Sequence, residues 1–178
     1  PDDGGNIMDI ILTPIGIIHT PFADRHGMPI QPAGGRGIRG TVEVRSEYRA
    51  GLQDLDGFSH IVLLYHFHGS RGFHLQVVPF MDDRPHGVFA TRAPRRPNPV
   101  GMSVVRLTGL DGGTLQVEDV DILDGTPLLD IKPFVPAFDV PETVARLGWL
   151  ETVDKTVGGR QADDRFTRHD GTADKRPA

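Results

Sequence analysis

The sequence contains no cysteine. That excludes a disulfide scaffold, a thiolate nucleophile and any cysteine-ligated zinc or iron–sulfur centre, and it fits a reducing compartment. Also missing is any apolar run near the length that spans a bilayer, and the start, Pro1 to Asn6, has no basic region leading into an apolar stretch. The expectation is a cytoplasmic protein with no membrane partner. Excess positive charge is lacking too: the net charge is −5. A broad face that grips nucleic acid is therefore not expected, nor a DNA partner, which leaves only a local basic patch for such contacts.

Turn-forming residues are plentiful. The 178 residues include 22 Gly and 15 Pro, with 38% hydrophobic and 24% charged side chains. This suits a globular chain of many short strands better than a helical bundle. The length accommodates one main domain and short appendages. The boundaries drawn are an N-terminal tail over 1–9, a β-barrel over 10–149 and a polar C-terminal tail over 150–178.

Residues 10–19 are β-branched but interrupted by Pro14 and Gly16, and read as an edge strand or two short ones. Residues 21–40 have little periodicity and form a long loop of the kind that is usually functional. Thr41-Val42-Glu43-Val44-Arg45 alternates as a strand does, and Ser46 is placed to cap a short helix to about Leu55 with Tyr48, Leu52 and Leu55 inward. In residues 61–67 one face is Ile61, Leu63, Tyr65 and Phe67, and the other carries His60, His66 and His68. Further strands are expected over 75–78, 87–91, 101–110, 115–122 and 129–132, with Asp111-Gly112-Gly113 as a hairpin turn and a short helix opened by Pro141. The fold class is all-β: a single antiparallel or mixed β-barrel with one or two short helices.

Four stretches bear on chemistry. Gly35-Arg36-Gly37-Ile38-Arg39-Gly40 has the spacing of a dinucleotide-binding fingerprint, but it precedes a β-branched run rather than a helix, so the match is accidental. His66 and His68 stand at alternate positions, as metal ligands or as polar residues at a strand end. Without cysteine or a compact carboxylate partner, no metal is expected. Between Arg84 and Arg106 there are five arginines and no acid, with Pro94, Pro97 and Pro99 stiffening the backbone. Rigid guanidinium forks suit phosphates or carboxylates. Finally, Asp121-Ile122-Leu123-Asp124-Gly125-Thr126-Pro127 and Asp130 set acids among apolar residues. These carboxylates either pair with the arginines or face a cationic or hydroxylated ligand.

The last two stretches, with Ile15 to Phe22, Phe58-Ser59-His60 and Gln31-Pro32, closely resemble the TsaA-like (YaeB, TrmO) family over residues 10 to 140. The resemblance implies a single-sheet barrel acting as a homodimer, and an S-adenosylmethionine-dependent methyltransferase acting on N6 of N6-threonylcarbamoyladenosine in the tRNA anticodon loop. It further implies donor contacts at Gln31, Pro32, Ala33, His68, Gly69, Arg92, Met102, Asp121, Ile122, Leu123, Asp124 and Gly125. Two departures stand out. Ala33 occupies a position where the family has glycine, and the stretch after Trp149 is shorter than the family's C-terminal domain. On chemical grounds Arg39, Arg95 and Arg96 are candidates for RNA phosphates, and Asp130 or His68 for the N6 proton. The alternatives are a non-catalytic S-adenosylmethionine- or RNA-binding module and a metal hydrolase built on His66 and His68. The long loop and polar tail also need something to pack against, which favours a homodimer with the donor site near the subunit boundary.

Overall fold

The structure is a computed structural model that describes residues 9–24, 28, 35–143 and 146–152. Its centre is a closed antiparallel barrel of six strands: β1 (Gly16–His19), β2 (Arg39–Val44), β3 (His60–His66), β6 (Val100–Asp111), β7 (Thr114–Glu118) and β8 (Thr126–Pro133), in the order β1-β2-β7-β6-β3-β8. A two-stranded ribbon, β4 (Gln76–Val77) with β5 (His86–Gly87), lies in the 67–99 connection. Closure leaves the barrel without a free edge around its girth, which suits a chain of short strands.

The strands form where the sequence alternates. Ile61, Leu63 and Tyr65 of β3 are buried and point inward, opposite Ser103 and Val105 of β6. They join Ile18, Val42, Val44, Leu115, Val117 and Leu128 in one core. Glycine is demanded at position 101, because a Cβ there would overlap the ring of Tyr65. The 111–114 hairpin turns through Gly112, whose φ of 60° favours glycine.

Several elements differ from the sequence expectations. Residues 10–15 are not strand, and pairing starts at Gly16; Pro14 lacks the N–H that a ladder would use. The expected helix after Ser46 is a pair of 3-10 turns, Ser46–Leu52 and Leu55–Gly57, separated at Asp54 in the left-handed region (φ 65°). Leu52 and Leu55 are buried as expected, whereas Tyr48 is 39% exposed. Residues 88–90 make a 3-10 turn instead of continuing a strand, and the segment after Glu118 is not strand. The expected helix from Pro141 is replaced by α1 (Pro136–Asp139) and a 3-10 turn at Gly148–Thr152. The polar tail beyond residue 152 lies outside the described residues.

The register fixes which connections share an end. His66 pairs with Val100, Ile18 with Thr126 and Arg39 with Glu118, so connections 20–38, 67–99 and 119–125 all leave from one mouth. The 45–59 connection and the 111–114 turn close the other end. Because β7 and β8 are not neighbours, residues 119–125 must cross the mouth past the ends of β2 and β1. Val120 (0% exposed) and Ile122 (2%) plug the barrel as they cross.

Candidate functional site

The crossing segment is stitched down along its length. Gly37 N–H donates to Asp119 Oδ1 (2.7 Å), and Asp119 itself takes a positive φ of 69° to present that carboxylate. Thr20 Oγ1 donates to the Ile122 carbonyl (2.7 Å), Thr20 N–H to Asp124 Oδ1 (3.0 Å) and Asp124 N–H to the Phe22 carbonyl (2.8 Å). His19 Nδ1 lies 3.5 Å from the same Asp124 oxygen. Asp124 therefore serves the architecture of the mouth, holding the end of β1 to the crossing segment.

Asp121 points the other way, into the barrel. Its Oδ1 accepts a hydrogen bond from Ser103 Oγ (2.7 Å), and Ser103 Oγ lies 3.0 Å from the phenol of Tyr65. Burial pushes the Asp121 carboxyl above its usual range, opposed by the Ser103 hydrogen bond and the Arg92 charge. Burial, aided by the Asp121 charge, likewise holds the Tyr65 phenol protonated beyond the ordinary tyrosine range. Arg92 acts electrostatically on both groups while its side chain remains accessible at the mouth. A half-buried carboxylate and an accessible guanidinium at one mouth are complementary to a zwitterion.

His68 follows β3 at the same mouth, its Nδ1 3.3 Å from Thr126 Oγ1. The Thr126 hydroxyl proton is committed to the Leu123 carbonyl (2.6 Å). With that proton committed, Thr126 Oγ1 is left to accept from His68 Nδ1–H. The arginine stretch is braced from within: Arg96 Nη1 donates to the Thr91 carbonyl (3.2 Å), and Thr91 Oγ1 donates to the Val88 carbonyl (2.9 Å).

The structure divides the residues singled out from sequence. His68, Gly69, Arg92 and residues 121–125 gather at the mouth. Met102 and Asp130 do not point there. Both pair with Leu64 in register and share its outward face, Met102 being 47% exposed and Asp130 bound to Lys132 Nζ at 2.7 Å. Arg95, expected as an exposed phosphate contact, is 7% exposed with Nη1 3.4 Å from His74 Nε2, because the proline-rich turn packs it inward. Arg39 is exposed and, with Arg106, flanks Glu118 in an ion-pair triad. Gln31, Pro32 and Ala33 lie outside the described residues. His66 lies on the outer face of β3, and among the described residues no three His, Asp or Glu side chains converge as a metal site would require. Gly35–Gly40 runs into strand β2, not a helix, which removes the dinucleotide reading.

Sequence reasoning missed Tyr65, Ser103, Thr20 and Thr126. Ser103 carried a signal: strand parity places it inward between Gly101 and Val105, and a polar side chain on a core face must find a partner.

A family model described as the tRNA-methyltransferase O N-terminal domain matches residues 17–140. A protein of Pyrococcus abyssi named as a probable S-adenosyl-L-methionine-binding protein is 55% identical over 157 residues, 88% of this chain and 85% of that one. The human tRNA (adenine(37)-N6)-methyltransferase is 31% identical over 145 residues, 76% of this chain and 32% of that protein. The crystal structure of TrmO from Pseudomonas aeruginosa superposes with a TM-score of 0.67 at 40% identity, covering 80% of this chain and 63% of that one. The chain thus spans most of the archaeal relative but under two thirds of the solved structure.

Proposed function

We propose a function on the premise that this chain belongs to the tRNA-methyltransferase O N-terminal-domain family: it is an S-adenosylmethionine-dependent methyltransferase that modifies N6 of an adenosine in tRNA. The observation that carries the reading is the Asp121 carboxylate held by Ser103 Oγ at 2.7 Å at the barrel mouth, where the exposed Arg92 supplies the opposite charge. Those two charges fit the donor, whose methionine end bears an ammonium, a sulfonium and a carboxylate. The donor, when bound, supplies an electrophilic methyl group for direct displacement. No covalent residue is required of the protein, so its contribution is positioning and exclusion of water.

Within that scheme Arg92 holds the donor carboxylate and Asp121 faces its positive charge, with Ile122, Leu123, Asp124 and Gly125 forming the wall. Gln31, Pro32 and Ala33 belong to the same donor contact on the family pattern. We assign the N6 proton to His68 rather than Asp130. His68 stands at the mouth, hydrogen-bonded to Thr126, whereas Asp130 lies on the outer face tied to Lys132. Arg96 and Arg39 are the arginines we assign to RNA phosphate; Arg95 supports the turn.

The acceptor we propose is N6-threonylcarbamoyladenosine in the anticodon loop, whose unpaired bases splay out without melting a duplex. The place of action on this reading is the cytoplasm, and the assembly is a homodimer. Incubating the protein with methyl-labelled S-adenosylmethionine and bulk tRNA, followed by nucleoside analysis, tests the reading. Label on N6 of the threonylcarbamoyl nucleoside is expected, and donor binding with no labelled nucleoside would overturn it. That second outcome would instead favour a donor-binding module, in line with the name of the Pyrococcus relative.

A further inference from the structure

Inside the barrel, a polar chain is set into the apolar core. Tyr65 is 5% exposed and Ser103 is 1%, and each has its hydrogen-bonding atom accounted for within the chain. The direction of the chain follows from proton counting. Ser103 has a single hydroxyl proton, and it goes to Asp121 Oδ1. The Tyr65 phenol must then donate to Ser103 Oγ, giving an ordered sequence from Tyr65 through Ser103 to Asp121. Buried polar groups of this kind are costly when half satisfied, and a complete chain holds each member in one orientation. The Tyr65 ring is itself fixed, edge-on to Phe67 at 5.5 Å and seated over Gly101.

We propose that Tyr65 and Ser103 are positioning residues whose hydrogen-bond chain fixes the orientation of the Asp121 carboxylate, so that it faces the positive charge of the methyl donor's zwitterionic end. This rests on the donor assignment made above. Among the described residues, the groups that act on the Asp121 carboxyl are the neutral donor Ser103 from β6, its own backbone N–H and the charge of Arg92 from the 67–99 connection, while the Asp121 charge in turn acts on Tyr65 of β3. Burial works against the ionised form that a cationic donor needs, while Ser103 and Arg92 favour it. Donor affinity is consequently expected to fall as pH drops through the raised Asp121 midpoint. Removing the Ser103 hydroxyl takes away a donor to the ionised form, so the fall begins at higher pH.

The test has two readouts on the intact chain: carboxyl NMR titration of Asp121 in the free protein, and calorimetric titration with S-adenosylmethionine across the acid range. Ser103→Ala is expected to raise both midpoints by about one pH unit, the size expected for one lost hydrogen bond to a charged acceptor. Tyr65→Phe, which keeps the ring, is expected to shift both the same way by less, and Ser103→Thr, which keeps a hydroxyl, to restore the wild-type profile. Superimposable carboxyl titrations in wild type, Ser103→Ala and Tyr65→Phe would overturn the chain. A shifted carboxyl titration with unchanged donor affinity at every pH would overturn its positioning role. Wild-type protein that binds no donor at any pH would overturn the donor assignment itself, while the carboxyl titration would still decide the chain.

Discussion

Asp121 sits where folding and ligand binding make opposite demands. Its carboxyl is raised in the folded protein, chiefly by burial, relative to the unfolded chain. A raised carboxyl contributes stability at pH below its unfolded value, and that contribution is lost as pH rises through the folded midpoint. At neutral pH the ionised group is therefore a net cost to folding. Asp121→Asn keeps the shape and an acceptor for Ser103 while removing the charge. We expect it to raise the melting temperature at pH 7 and to raise it less at pH 4, while weakening S-adenosylmethionine binding at least tenfold. Scanning calorimetry at the two pH values, with and without donor, checks both halves. A variant melting lower than wild type at pH 7 would contradict the argument.

At the scale of the element, strand β6 carries the site through its parity. Gly101, Ser103 and Val105 face inward and pair with Tyr65, Leu63 and Ile61, whereas Met102 faces out. Gly101 matters because the Tyr65 ring fills the space where a Cβ would stand. Gly101→Ala should displace that ring, break its bond to Ser103 and cost about 1–3 kcal/mol, the usual range for overpacking a filled core. Urea denaturation measures the loss. Leu115→Ala, at a fully buried position of β7 that pairs with Val42 and Leu110 rather than with the polar chain, should cost about 2–5 kcal/mol through its cavity without shifting the Asp121 titration. A large shift there would mean the polar chain depends on general packing rather than on its own hydrogen bonds. The segment after β8 has its own anchor. Trp149 stacks on His86 at 4.5 Å and donates to the Ala90 carbonyl, next to the turn that presents Arg92.

For the whole molecule, the proposed function sets an acidic chain against an anionic partner. The net charge of −5 opposes binding at long range, so contact with tRNA has to come from the few arginines that the mouth leaves accessible. Replacing Arg96 and Arg39 together with Ala should weaken tRNA binding and flatten its salt dependence by roughly 1.4 in the log–log slope, about 0.7 per phosphate contact on a single strand. Donor affinity should stay within twofold. Titrations at several salt concentrations check this, and an unchanged slope would remove both arginines from the interface. The proposed homodimer is read by light scattering at micromolar concentration, where a monomer mass with unimpaired donor binding would reject a site shared between subunits.

How much of this was legible beforehand depended on whether the signal was local. Alternation is a property of neighbouring residues, so the strands around Ile61–Tyr65, Thr41–Val44 and 101–110, the 111–114 hairpin and the all-β barrel were readable from the chain itself. Composition alone excluded cysteine chemistry. What sequence could not supply was the direction in which each motif residue points. Asp121 and Asp124 are three residues apart, yet one enters the core and the other fastens the rim. Arg95 and Arg96 are adjacent, yet the first is buried. Met102 and Ser103 are also adjacent, and only the second reaches the site. These choices are made by strand parity, by a crossing segment that must plug the barrel, and by partners distant in sequence, as Ser103 is from Tyr65. They are decided when the barrel closes, because only then does each polar group meet either its partner or solvent.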